Sequence, residues 1–212
     1  MAGLFVTFEG IEGCGKTTQA ELLRLNLEKK NHRVVFTREP GGTEVGERIR
    51  DVLLDNRIRD MEPLTELFLY LASRAQHVQK LIRPALEDGA IVVCDRFADA
   101  SLAYQGAGRE IGILRVESLN EAATLGLVPD YTVLLDVPVE LGLKRISARA
   151  GEKQQQDRIE QEQIDFHVRV REAYLVLARE SSGRIEVFDG TRSKEELAEE
   201  ILSSVKRIMT GK

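Results

Sequence analysis

The chain has 212 residues, a net charge of −5, and 42% hydrophobic and 31% charged residues. That length suits one sizeable domain, the balance excludes a largely disordered chain, and no apolar run approaches the roughly 20 residues of a membrane span. The acidic surplus argues against a general nucleic-acid binder, and no basic segment opens a signal sequence, so a cytoplasmic protein with no membrane contact is expected.

In chain order, residues 4–9 (LFVTFE) read as a short apolar strand, 10–15 as a glycine-rich turn, and 17–30 as a helix carrying Leu22, Leu23 and Leu27. A second strand is predicted at 33–38, a turn at Pro40-Gly41-Gly42, and a helix at 45–54. Residues 61–86 read as one long helix bent near Pro84, with Leu64, Leu67, Leu71, Val78 and Ile82 on one stripe. Further strands are predicted at 91–94, 131–135 and 184–188, separated by helices at 113–125, 138–149 and 157–180. A last helix starts at Ser193, with Glu196 three residues on as its capping-box partner. Five apolar strands alternating with helices predict an α/β domain spanning 1–212, its parallel sheet covered on both faces. Polar residues 150–157 lie between two helical segments and read either as a mobile loop or as an inert surface loop. Cys14 and Cys94 form no CxxC pair and His32, His77 and His167 are scattered, so neither a disulfide scaffold nor a zinc site is expected.

The turn after the first strand carries the chemistry. Gly10-Ile11-Glu12-Gly13-Cys14-Gly15-Lys16-Thr17 fits GxxxxGK[ST], the P-loop, and Thr18 continues into the helix. Glycines permit a tight turn whose backbone N–H groups point at an anion, and the following helix N-terminus adds partial positive charge. Lys16 is placed to reach β- and γ-phosphates, and the Thr17 hydroxyl to ligate Mg²⁺. A bound nucleoside triphosphate on a three-layer P-loop NTPase fold is therefore expected. The chain lacks the DxxG and NKxD motifs of a GTPase. A regulatory ATPase acting on a protein partner stays open, as does a small-molecule kinase, which needs a second anion site.

Arginine outnumbers lysine 21 to 9, which reflects either genome composition or capture of phosphate by planar guanidinium forks. The positions bear on that choice. Arg38 ends the second strand in Arg38-Glu39-Pro40-Gly41-Gly42-Thr43, and Asp95-Arg96 ends the third, at the edge where open α/β sheets bind ligands. Tyr70 and Arg74 lie four apart on one helix and project side by side, the arrangement that stacks on a nucleobase while bonding to its edge. Taken singly, Tyr70 fits a core role and Arg74 a surface ion pair.

Taken in order, FEGIEGCGKTTQ, TREPGGT, DRFADASLAYQG and DRIEQE resemble the thymidylate kinase family over nearly the whole chain. The resemblance implies MgATP-dependent phosphorylation of dTMP to dTDP, a step of dTTP synthesis, by a homodimer. It implies that Glu12 lies by the acceptor sugar's 3′-hydroxyl, Tyr70 stacks on thymine, and Arg74 bonds its O4. It places Arg38 and Arg96 on the acceptor phosphate with Pro40 beside them, Asp95 in the Mg²⁺ region, and Ser101 and Gln105 near the base. Tyr104 falls where a ring crowds the sugar 2′ position. Tyrosine at position 70 departs from the more common phenylalanine, and the lid segment, about 145–160, is longer than usual. Gly13 stands where some members carry a P-loop arginine, so the catalytic cation beside Lys16 and Arg96 is expected from the lid: Arg149 or Arg158, flanked by Arg145, with Arg149 favoured. No general base is expected, because an acceptor phosphate oxygen is already anionic. Another nucleoside monophosphate kinase remains the nearest alternative.

Overall fold

The computed structural model describes residues 3–150 and 157–211. Five strands, β1 (Leu4–Glu9), β2 (Val34–Arg38), β3 (Ile91–Asp95), β4 (Tyr131–Asp136) and β5 (Ile185–Asp189), form one parallel sheet in the order β2-β3-β1-β4-β5. All four pairings are parallel, with Val6 opposite Val93 on one side and Tyr131 on the other. β1 and β3 are buried at every position, which agrees with their near-continuous apolar sequence. Among the described residues no helix is long and apolar enough to cross a membrane.

Alternation along β1 divides the core. Leu4, Val6 and Phe8 pack with Leu23 and Leu27 of α1 (Lys16–Glu28), while Phe5 packs on the opposite face with Val92, Phe97 and Val78. The first cluster also takes in Tyr174 of α8 (Ile164–Glu180) and Leu197, Ile201 and Val205 of α9 (Lys194–Gly211). Helices thus cover both faces, as expected for parallel strands. The Ser193 cap forms as read: its hydroxyl and the Glu196 carboxylate lie 2.7 Å apart, and the Glu196 N–H donates back to that hydroxyl.

The region read as one long helix has three parts: α3 (Pro63–His77), a π-helical turn at Val78–Ile82, and α4 (Arg83–Glu87). Pro84 lacks an N–H and its ring crowds the preceding turn, and the wider π turn absorbs both. Glu44–Leu54 is α2, capped by the Thr43 hydroxyl, which accepts from the Gly46 N–H. After β3 comes a helical stretch missed by the sequence reading, α5 (Ala98–Ser101) running into a π-helical segment at Leu102–Gly108. Two more helices follow as predicted, α6 (Ile113–Thr124) and α7 (Val139–Ala150). The helix expected from 157 begins only at Ile164. Asp157 is the reason, since its Oδ1 accepts the backbone N–H groups of both Ile159 and Glu160 and fixes a turn. The predicted lid loop falls mainly at 151–156, outside the described residues.

Candidate active site

Parallel topology brings the carboxyl ends of β1, β2 and β3 to one edge, and with them the glycine turn, Arg38 and Asp95-Arg96. Two glycines of the turn stand where a side chain would not fit. Gly10 and Gly13 adopt φ values of 136° and 74°, and a Cβ on Gly13 would meet the Gly142 carbonyl of α7 at 2.3 Å. Ile11 and Cys14 are buried beneath it. Gly13, Gly15, Lys16, Thr17 and Thr18 line a cavity of about 220 Å³, joined by Arg145, which donates to the carbonyls of Gly13 and Gly190.

A second cavity of about 640 Å³ opens on the other side of the turn, and Lys16 and Thr17 line both. Its walls bring together Glu12, Arg38, Pro40, Tyr70, Asp95, Arg96, Ser101, Tyr104 and Gln105. Tyr70 is half-buried against the space, and Arg38 is half exposed, 2.8 Å from Glu47. Arg50 of α2 also lines the cavity, which the sequence reading missed. Burial and the nearby charge of Arg38 both weaken its hold on its proton. Its signal was an arginine one turn after Glu47, the residue that pairs with Arg38.

Arg96 sits at the centre. Its Nη2 donates to Glu12 at 2.7 Å and to the Tyr104 hydroxyl at 3.0 Å, and its Nη1 to the Gly10 carbonyl and the Tyr174 hydroxyl. Its guanidinium carbon also stands 4.8 Å from the Tyr104 ring centroid. Burial pushes the Glu12 carboxyl up, but Arg96, Lys16 and the Tyr104 hydroxyl outweigh it and hold it below the usual range. The same burial raises Tyr104 well above an ordinary phenol, so it donates its proton to Glu12 rather than losing it.

Two residues sit differently from the sequence reading. Arg74 does not project beside Tyr70 into the cavity; it lies behind the wall, 1% exposed. Its Nε donates to Glu39, its Nη1 to Ser101 and Asn120, and its Nη2 to the Phe97 carbonyl. A glutamate reached from β2 and an asparagine from α6 pull the guanidinium inward, which helical spacing alone does not reveal. Arg158 is likewise turned away from the phosphate turn. It donates to the Leu53 carbonyl and pairs at 2.6 Å with Glu66, a wholly buried carboxylate that also accepts from Arg109 and Gln105. The side chain of Arg149 lies outside the described residues.

Comparison with known proteins bears on the family to which the chain belongs. The family model described as thymidylate kinase matches residues 8–201. Proteins named thymidylate kinase from Geotalea uraniireducens and Desulfosudis oleivorans are 48% and 50% identical, covering 96% and 97% of both chains. The crystal structure of a thymidylate kinase from Ehrlichia chaffeensis superposes with a TM-score of 0.78 at 32% identity, covering 97% of this chain and 99% of that one.

The burial of Arg74 yields a stability test. Arg74→Ala leaves Glu39 buried without its guanidinium, and removing one partner of such a pair costs about 3–5 kcal/mol. Urea denaturation should show that loss even with no nucleotide present. An unchanged midpoint would mean that the buried network contributes nothing to the fold.

Proposed function

The chain belongs to the thymidylate kinase family and phosphorylates dTMP to dTDP at the expense of ATP, and we propose the following division of labour among its residues. The observation that supports it is the pair of cavities meeting at Lys16 and Thr17, one formed by the anion-binding turn and the other rich in arginine. ATP lies along the turn, its phosphates on the N–H groups from Gly10 through Thr18. dTMP lies in the larger cavity with its ring on Tyr70 and its phosphate among Arg38, Arg50 and Arg96. Ser101 and Gln105 read the base edge, and Arg74, fixed behind Ser101, holds that hydroxyl in place. Tyr104, pinned by its hydroxyl to Glu12, closes off the 2′ side of the sugar, while Glu12 faces the 3′-hydroxyl.

The acceptor oxygen is anionic, so no proton has to be removed before it attacks. What opposes reaction is repulsion between two phosphate groups, and Lys16 and Arg96 offset it while holding attacker and leaving group in line. Thr17 and Asp95 fit a Mg²⁺ ion. The Thr17 hydroxyl bonds to Asp95 Oδ2, and Asp95 Oδ1 is buried with no hydrogen-bond partner among the described residues, so hard oxygen donors are gathered beside the turn. When bound there, the ion would neutralise charge on the donor phosphates.

A further cation comes from the lid in this reading, and Arg149 is the better candidate. Arg158 is committed to Glu66 and Leu53, whereas Arg145, one turn before Arg149 on α7, already stands over the P-loop. We place the enzyme in the cytoplasm, where its nucleotides are drawn from a shared pool. A homodimer is proposed through α2 and α3. Val45 and Val52, seven apart on α2, and Phe68 on α3 are 49%, 42% and 52% exposed, and apolar side chains on adjoining helices suit a second copy of the chain.

Three measurements test these assignments. Lys16→Ala should abolish ADP release in a dTMP-dependent coupled assay while leaving the circular dichroism spectrum intact; near-normal turnover removes Lys16 from the reaction. Arg149→Ala should lower kcat by a factor of about 10³, the lower end of an arginine finger's worth, at unchanged KM for dTMP. Arg158→Ala should instead raise that KM, and the reverse pattern exchanges the two roles. Phe68→Glu should shift the sedimenting species to monomer, and an unmoved dimer would place the interface elsewhere.

A further inference from the structure

Arg96 is held in two uncommon ways. Its backbone adopts φ 73°, a left-handed conformation unfavourable for a residue with a Cβ. Its side chain, 15% exposed, is withdrawn from solvent at the floor of the acceptor cavity. Such a residue keeps its place only if its surroundings over-determine it. Glu12 and Tyr104, which grip Nη2, belong to the cavity wall themselves. The restraint on the other side comes from two residues that do not line the cavity.

The first is Glu9, the last residue of β1 and wholly buried. Its Oε1 accepts the backbone N–H of Phe97, the residue after Arg96, at 2.7 Å. Its Oε2 accepts the hydroxyl of Tyr174 at 2.7 Å. Tyr174, 2% exposed at mid-length of α8, in turn accepts from Arg96 Nη1 at 3.2 Å. One carboxylate therefore grips the turn twice, directly through the backbone and indirectly through the guanidinium. On the far side of the strained residue, the Arg96 N–H donates to the Phe8 carbonyl.

We propose that Glu9 and Tyr174 form a positioning pair for Arg96, a chain running from guanidinium N–H to phenol oxygen and from phenol O–H to carboxylate. The direction of that chain is its function. A phenol carries one proton, and while Glu9 accepts it, the oxygen's lone pairs are left to face the cation. Without Glu9 the hydroxyl is free to rotate its proton toward Arg96, turning an attraction into a repulsion. Arg184, Asp99 and Thr132 form a separate polar group nearby, bonded among themselves, and none of them donates to Glu9. Burial and the Asp99 charge push the Glu9 carboxyl up to about 7, against the pull of Arg96, Tyr174 and the Phe97 N–H. Near neutral pH that carboxyl is about half ionised, and in its ionised form it accepts the phenol O–H. Neither residue touches substrate, so both act through Arg96.

The inference rests on the acceptor-phosphate role of Arg96, and the test separates the two. Tyr174→Phe removes one oxygen and keeps the ring among its packing partners. Glu9→Gln keeps an amide oxygen to accept the Phe97 N–H, but removes the negative charge and puts an NH2 donor where the phenol proton had its acceptor. Each should lower kcat about tenfold with an increased KM for dTMP and an unchanged KM for ATP. The double variant should be no worse than the worse single one, because both break the same chain. In an Arg96→Lys background, Tyr174→Phe should change nothing further. Wild-type kinetics in Tyr174→Phe, equal shifts in both KM values, or losses that multiply in the double variant would overturn the pairing. Arg96→Lys with unaltered kcat and dTMP KM would instead remove Arg96 from the acceptor site, and the pairing's purpose with it.

Discussion

A site built to bring two polyanions together must store positive charge while it is empty, and stored guanidinium groups repel one another. The structure resolves this by pairing most arginines in and behind the cavity wall with a glutamate: Arg38 with Glu47, Arg74 with Glu39, Arg96 with Glu12, and Arg109 and Arg158 with Glu66, while Arg50 donates to the Pro40 carbonyl. The chain's net charge of −5 is compatible with a cationic site for this reason. Exposure then sorts the pairs into two kinds. Arg38 and Glu47 are 51% and 43% exposed, so a phosphate can displace the glutamate at small cost in a high-dielectric setting. Arg74 and Glu39 are 1% and 2% exposed, and separating them would strand a charge in the interior. The first kind is open to a ligand and the second builds the wall behind the cavity, with Arg96 and Glu12, 15% and 13% exposed, between the two.

This distinction marks the limit of what could be read from the sequence. The P-loop was legible because its glycines, lysine and threonine act through neighbours in the chain, and the strand ends were legible because apolar runs stop where polar residues begin. The Ser193 and Glu196 cap is equally local. Arg74 was not legible as a buried residue, because its partners come from β2, α5 and α6 and leave no trace in helical spacing. The segment after β3 was missed for a different reason. ADASLAYQGAG is rich in small residues and glycine, which carry no 3.6-residue apolar rhythm, and packing against α6 and α8 rather than propensity makes it helical. The link between Glu9 and Tyr174 spans 165 residues, a separation at which one sequence says nothing about contact.

Glu66 shows how the wall is tied to the segment that follows the lid. It lies four residues before Tyr70 on α3, and it collects Gln105 from the helical stretch after β3 together with Arg109 and Arg158. Arg109 also lies 4.8 Å from the Phe166 ring centroid at the start of α8 and pairs with Glu162. Gln105 of the cavity wall, Arg109 and the turn at 157–163 therefore share one buried carboxylate. Burial pushes Glu66 up, but the two arginines and Gln105 more than reverse this and keep it charged.

Lysine and arginine then divide the work according to how they are held. Arg96 and Arg74 each meet four separate acceptors. A planar fork pinned at that many points is a rigid reference, which suits a group that must define where an acceptor phosphate stops. Among the described residues Lys16 has one side-chain hydrogen bond, long at 3.4 Å, to the carbonyl of Ile11 within its own turn. Its ammonium is a point charge on a flexible stem with little to give up when a phosphate arrives, and it faces both cavities. The transferring group changes position during the reaction while the acceptor does not. In the proposed reading a cation on a flexible stem stands beside the first and the pinned Arg96 beside the second, an arrangement that suits such a transfer.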